Sequence, residues 1–327
     1  MPRSSNPGVS KTECDGPIQG EAETVRSRDR REFLKSAATL AAGVLAADGA
    51  FASNAAPKSK KSLVGCHGWV YAAPIPNHDY TPVIEQIFSD FRYAGIDAFE
   101  LMDAALMHDD AVDRISVLSY KYSLPILGSS FGANMWDRTK HDEILEKAET
   151  VIRRLAQLGG RTLGTSVGQA HGPKTPEQLD AQAEILRKII DLGKPHGVVL
   201  NLHNHTYEVE NGMHDLEGTL ARIPDVKLGP DLNWLVRGGV NPVDFIHRFG
   251  KQIVFLHIRD QKADGTWSEA VGEGSMDYVG IAQALHAIPF TGDPVIELAH
   301  EKGFQLTRPL RDDWKISREF VRKTLGY

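Results

Sequence analysis

Eight short β-prone segments recur at intervals of about thirty residues, separated by longer stretches with helical character, and few folds accept that alternation. The segments are residues 63–66, 98–101, 125–128, 162–165, 198–202, 226–229, 253–256 and 294–297. Apolar residues recur three and four apart over 80–94, 141–158, 176–196 and 277–287, and that spacing predicts helices there. Asp142, Thr175 and Pro176 occupy cap and first-turn positions. Strands alternating with helices imply parallel βαβ units and a parallel sheet covered by helices. A doubly wound open sheet usually carries a glycine-rich turn after its first strand, and none follows residue 66. The strand count and the spacing favour a closed (β/α)8 TIM barrel, a fold that commonly takes about 250 residues.

The barrel is expected over residues 63–327, preceded by a polar linker at 53–62. Ahead of the linker, Asp29-Arg30-Arg31-Glu32-Phe33-Leu34-Lys35 closely resembles the twin-arginine export motif. A weakly apolar run follows, ending in Ala50-Phe51-Ala52, a small-x-small cleavage pattern. Residues 1–52 are therefore read as a twin-arginine signal peptide, with the export machinery as partner and the periplasm or exterior as destination. The resemblance implies passage in the folded state, which suits loading of a metal before export. The apolar run is too short and alanine-rich for a membrane span. Cleavage leaves Cys66 as the single cysteine, so no internal disulfide can form and the core must hold the domain.

Of the 327 residues 24% are charged, and the net charge of −6 is dispersed rather than blocked. Binding to nucleic acid or an anionic membrane needs a basic surface, so neither partner is expected. The sequence leaves open whether the chain works alone or as a homo-oligomer.

In barrels of this kind chemistry collects where strands end. The fifth segment runs into His203-Asn204-His205 and then Glu208, and the sixth into Asp231-Leu232-Asn233-Trp234. The seventh runs into His257-Ile258-Arg259-Asp260 and the eighth into Glu297. Four consecutive strands thus each end in a residue able to ligate a metal. Two imidazoles and two carboxylates, His203, Asp231, His257 and Glu297, form a mixed nitrogen–oxygen set suited to Mn, Zn, Co or a similar divalent ion. Such an ion polarises a carbonyl and stabilises the enediolate formed when the α-proton leaves.

The ordered set resembles the sugar phosphate isomerase/epimerase family, the xylose isomerase-like barrels, over residues 63–301. The likeness rests on Gly95-Ile96-Asp97-Ala98-Phe99-Glu100-Leu101, His203-Asn204-His205 with Glu208, and Asp231-Leu232-Asn233-Trp234. It continues through Gly239-Val240-Asn241-Pro242, His257-Ile258-Arg259-Asp260, Val271-Gly272-Glu273-Gly274 and Ile296-Glu297. The resemblance implies a metal-dependent isomerase or epimerase acting on a carbonyl sugar by α-proton abstraction. Asp231, His257 and Glu297 match the ligands of the family's ketose epimerases, whereas His203 stands where those enzymes place a glutamate.

That departure removes one of two proton-exchanging carboxylates. A second base must come from elsewhere, with His205, Glu208 and Glu100 as candidates beside Glu297. A lyase or hydratase acting on 3-keto-glycosides and a non-catalytic carbohydrate-binding barrel are the alternatives. His67, Glu100, Trp234 and Arg259 are expected to contact substrate, with Trp69, Trp136 and Trp234 as platforms for a sugar ring.

Overall fold

The computed structural model describes residues 62–288 and 290–327. The expected signal peptide, and the linker up to residue 61, lie outside the described residues. No helix among the described residues is long and apolar enough to cross a membrane.

Eight parallel strands alternate with helices as the periodicity requires. They are β1 (Gly65–His67), β2 (Ala98–Met102), β3 (Ile126–Gly132), β4 (Thr162–Ser166), β5 (Val199–Leu202), β6 (Lys227–Leu228), β7 (Phe255–Ile258) and β8 (Asp293–Glu297). The principal helices are α1 (Ile84–Ala94), α2 (Ala111–Tyr122), α3 (His141–Gln157), α4 (Pro176–Gly193), α5 (Thr206–Arg222), α6 (Pro242–Phe249), α7 (Tyr278–Ala287) and α8 (Leu310–Thr324). Short helices at Asp103–Leu106 and Leu232–Arg237 are inserted after β2 and β6. Neighbouring strands follow chain order, and β1 pairs with β8. Between β6 and β7 the ring closes through isolated parallel bridges, Leu228 with Ile253 and Asp231 with His257. The architecture is a (β/α)8 barrel.

Two strands begin two residues later than the apolar runs suggest. Leu63 and Val64 precede β1, and Ile253 contributes only a bridge ahead of β7. Apolar runs mark burial, whereas strand ends are set by where the neighbouring backbone supplies partners. The helix starts follow local chemistry more closely. Thr175 caps α4 in a reciprocal box with Gln178, and Pro176 occupies the first turn.

Side-chain alternation explains how the barrel becomes a site. On β2, Phe99 and Leu101 point outward into the layer shared with the helices. Ala98 points inward with Leu127, Phe255 and Val295, forming an apolar plug in the barrel. Two residues further along the same inward rows stand Glu100, His257 and Glu297. The interior thus turns from apolar to ionisable over one strand repeat, at the C-terminal end of the sheet. Cys66 lies buried on β1, and burial pushes its thiol well above the ordinary value, so it behaves as a core residue.

Candidate metal centre and substrate cavity

Three of the expected ligands converge. One donor atom each from His203, Asp231 and His257 lies within 4.8 Å of the others. Strand geometry sets this up: Asp231 and His257 are bridge partners, and the His203 N–H donates to the Thr165 carbonyl at the top of β4. The side chain of Asn204 clamps Asp231 from the other side. It accepts from the Asp231 N–H at 3.1 Å and donates to its carbonyl at 3.4 Å.

Asp231 divides its carboxylate between two tasks. Oδ1 accepts the N–H groups of Asn233 and Trp234, each at 2.9 Å, and so caps the helix Leu232–Arg237. Oδ2 is buried without a hydrogen-bond partner, as is Nδ1 of His203, while Nδ1 of His257 faces Glu297 Oε2. Buried polar atoms are almost always paired, because leaving one unsatisfied costs about 1–3 kcal/mol. Two orphaned atoms, one oxygen and one nitrogen, with the His257 ring and Glu297 beside them, fit a divalent cation.

Glu297 joins this group through His257, with Oε2 2.8 Å from Nδ1. Its Oε1 accepts a short hydrogen bond from Arg259 Nη2, whose guanidinium also lies 3.7 Å from Asp231 Oδ2. Burial raises the Glu297 carboxyl, but Arg259, His67 and His257 together hold it well below the usual value. Burial lowers His203 well below the ordinary imidazole, aided by the neighbouring rings of His257 and His205. The neutral imidazole that a metal requires is therefore the resting form of His203. Burial also works against charge on His257, yet the carboxylates of Glu100 and Glu297 push it up to about 10.

The cluster opens into a cavity of about 840 Å³ at the barrel mouth. His67, His205, Trp234 and Arg259 reach it, as expected from their strand-end positions. His67 is held by Ser130 Oγ at 3.0 Å from Nε2 and lies with Nδ1 3.8 Å from Glu297 Oε2. His205 stacks on Tyr207, whose hydroxyl is 3.2 Å from Nδ1, and burial lowers this imidazole to about 4.

Two expected site carboxylates take other places. Glu100 is fully buried in the barrel interior, where Oε2 lies 2.5 Å from Nε2 of His257. It holds the His257 ring rather than lining the cavity. Glu208 lies behind His205, and its Oε2 accepts the His205 N–H at 2.7 Å to cap α5. Of the other aromatic candidates, Trp69 lines the cavity and Trp136 is not among its walls.

Trp267, in the loop after β7, also belongs to the site. Its indole N–H donates to Asn233 Oδ1 at 2.9 Å, and the Arg237 guanidinium covers the ring at 4.1 Å from the centroid. Trp234 meets it edge-on at 5.7 Å, so the two indoles form one wall of the cavity. The Asp264-Gly265 turn just before Trp267 marks a loop tip and is the one local signal for it. The loop from β7 to α7 is organised by Asp260, whose Oδ2 accepts the N–H groups of Gly272 and Gly274. A side chain at 274 would meet Asp260 Oδ1 at 2.1 Å, which accounts for glycine there.

Comparison with known proteins agrees with this architecture. Residues 88–324 match the profile of the family described as xylose isomerase-like TIM barrel. The chain belongs to the xylose isomerase-like TIM barrel family. Solved structures resemble it along most of its length at low identity. A D-allulose 3-epimerase from Methylomonas sp. superposes with a TM-score of 0.66 at 19% identity, over 81% of this chain and 99% of the other. A sugar phosphate isomerase/epimerase from Parabacteroides distasonis gives 0.64 at 16% identity, over 84% and 98%. A 3-keto-D-glucoside 4-epimerase from E. coli gives 0.64 at 16% identity, over 80% and 100%. No curated protein matches the sequence.

Proposed function

We propose that the chain is a divalent-metal-dependent isomerase or epimerase that takes an α-proton from a carbonyl sugar. The observation that carries this reading is the convergence of three donor residues from the ends of β5, β6 and β7, two of them with buried unpartnered atoms, beside an ionised Glu297. His203, Asp231, His257 and Glu297 would hold the ion. When bound, it supplies Lewis-acid polarisation of the carbonyl and stabilises the enediolate.

The remaining work falls to side chains. Arg259 pairs with one oxygen of Glu297 and keeps the carboxylate charged, the form in which it can take an α-proton. His205, facing the cavity and tied to Tyr207, is the group placed to move a proton between neighbouring sugar oxygens. Trp234 and Trp267 offer apolar faces to a sugar ring and shield the enediolate from water. Glu208, on the far side of the His205 backbone, holds that loop in place rather than exchanging protons with substrate. The same proposal includes export of the barrel of residues 63–327, on the strength of Asp29 to Lys35.

The test is deuterium incorporation next to the carbonyl. The Mn-, Co- or Zn-loaded protein is incubated with ketoses and 3-keto-glycosides in D2O and the sugars are read by NMR. Exchange that requires metal and is lost in Asp231→Asn and Glu297→Gln supports the reading. A metal-loaded protein that exchanges none of these sugars overturns it.

A further inference from the structure

The donors occupy only one side of the cavity. They come from β5 to β8, while the opposite rim is built by the loops after β1, β2 and β3 and by α3. Because strand order follows chain order around the ring, β2 faces β6 and β3 faces β7. Asp103 follows β2 and Lys147 lies on α3 after β3, so both stand across the mouth from Asp231 and His257.

These two side chains form a defined pair. Lys147 Nζ donates to Asp103 Oδ2 at 2.8 Å, with 34% and 16% of the respective side chains exposed. The ammonium also sits above the Phe131 ring, 5.4 Å from its centroid, which restricts where it can go. Both residues line the cavity, together with Asn134 and Trp69. A solvent-reached ion pair of this kind contributes only about 0–1 kcal/mol to stability, so holding the fold together does not account for its place. It presents a fixed donor beside a fixed acceptor, at the spacing of two neighbouring hydroxyl oxygens on a sugar ring. Trp69 supplies an indole and Asn134 an amide on the same rim, the combination that sugar rings require.

We propose that Asp103 and Lys147, with Asn134 and Trp69, form a distal subsite for a second sugar ring, so that the preferred substrate is a glycoside or disaccharide rather than a free monosaccharide. This rests on the carbonyl-sugar reading above, because it places the reacting ring at the donors. The size of the cavity agrees. At about 840 Å³ it lies near the upper end of the roughly 300–1,000 Å³ usual for small-molecule pockets.

The experiment compares D-fructose with lactulose, a disaccharide ending in the same ketose, by calorimetry on the Mn-loaded chain. Lactulose is expected to bind at least about tenfold more tightly, the scale of one or two charge-assisted hydrogen bonds. Lys147→Met keeps the aliphatic contact with Phe131 and Asp103→Asn keeps the helix start. Each should remove the lactulose advantage while leaving fructose affinity within about twofold, which also shows that fold and donors are intact. Fructose binding with no lactulose advantage in the parent protein, or an advantage that survives both substitutions, overturns the distal subsite alone. Failure of both sugars to bind overturns the carbonyl-sugar reading and the subsite with it.

Discussion

Oε2 of Glu100, on β2, lies 2.5 Å from Nε2 of His257, on β7, with Glu100 closed off from solvent and His257 only grazed by it from the cavity. The contact spans the barrel interior and leaves the opposite ring nitrogen of His257 directed at the donor cluster. A carboxylate in this position fixes the ring and makes it a better ligand. Glu100→Gln keeps the shape and removes the charge. It should weaken Mn or Zn binding by about 10- to 100-fold with the metal-free fold retained. Calorimetric titration of the folded variant checks this, and unchanged affinity would remove Glu100 from the metal site.

Asp231 allows cap and ligand to be separated. Asparagine can still cap through its side-chain oxygen but lacks the charge, so Asp231→Asn should lose metal affinity with little change in metal-free stability. Asp231→Ala should lose both, with a further cost of about 1 kcal/mol in chemical denaturation of the chelated protein. Equal metal-free stability of the two variants would refute the capping role.

Metal should raise the melting temperature by mass action. At a free concentration one hundred times the dissociation constant, the expected gain is about 2.7 kcal/mol, reversed by chelator. His203→Ala should reduce that gain, measured by thermal denaturation with and without Mn. A full gain in this variant would exclude His203 as a ligand.

Glu208 gives the metal-free protein a pH signature. Burial pushes its carboxyl up to about 8, with the His205 N–H pulling it down, Asp215 raising it and Lys174 lowering it. An unfolded glutamate titrates near about 4.3, so between these values the folded state keeps a proton that the unfolded state has released. The associated stability is full below about 4.3 and is lost as pH rises through about 8. Urea midpoints of the chelated protein should fall over that window, and Glu208→Gln should flatten the fall. An identical slope in the variant would show that Glu208 does not carry it.

Export is checked by Arg30→Lys with Arg31→Lys. The pair should retain the chain in the cytoplasm, as read by cell fractionation, and unimpaired export would refute the twin-arginine reading.

The convergence of His203, Asp231 and His257 was legible in the sequence because each comes at the end of an apolar run, a local pattern that needs no knowledge of neighbours. What it could not carry was direction. Glu100 and Glu297 both sit near the ends of apolar runs, yet Glu100 meets Nε2 of an imidazole 157 residues away and Glu297 meets its Nδ1, a distinction set by how the strands assemble around the barrel. Glu208 was legible as an acid three residues after His205, which is also the spacing of a helix cap. Trp267 escaped because a loop has no periodicity to reveal which way an indole faces. Asp103 and Lys147 escaped for a similar reason, since their meeting depends on how α3 packs over β2 and β3.

The thinly stitched closure between β6 and β7 has a mechanical meaning. β6 contributes only Lys227 and Leu228, so the ring is joined there by few peptide contacts, and Asp231 and His257 straddle the join. A cation gripped by both would act as a rivet across the weakest part of the hoop. Circularity of the sheet and readiness of the site would then be one property, and extracting the ion would loosen the scaffold along the line where the chemistry takes place.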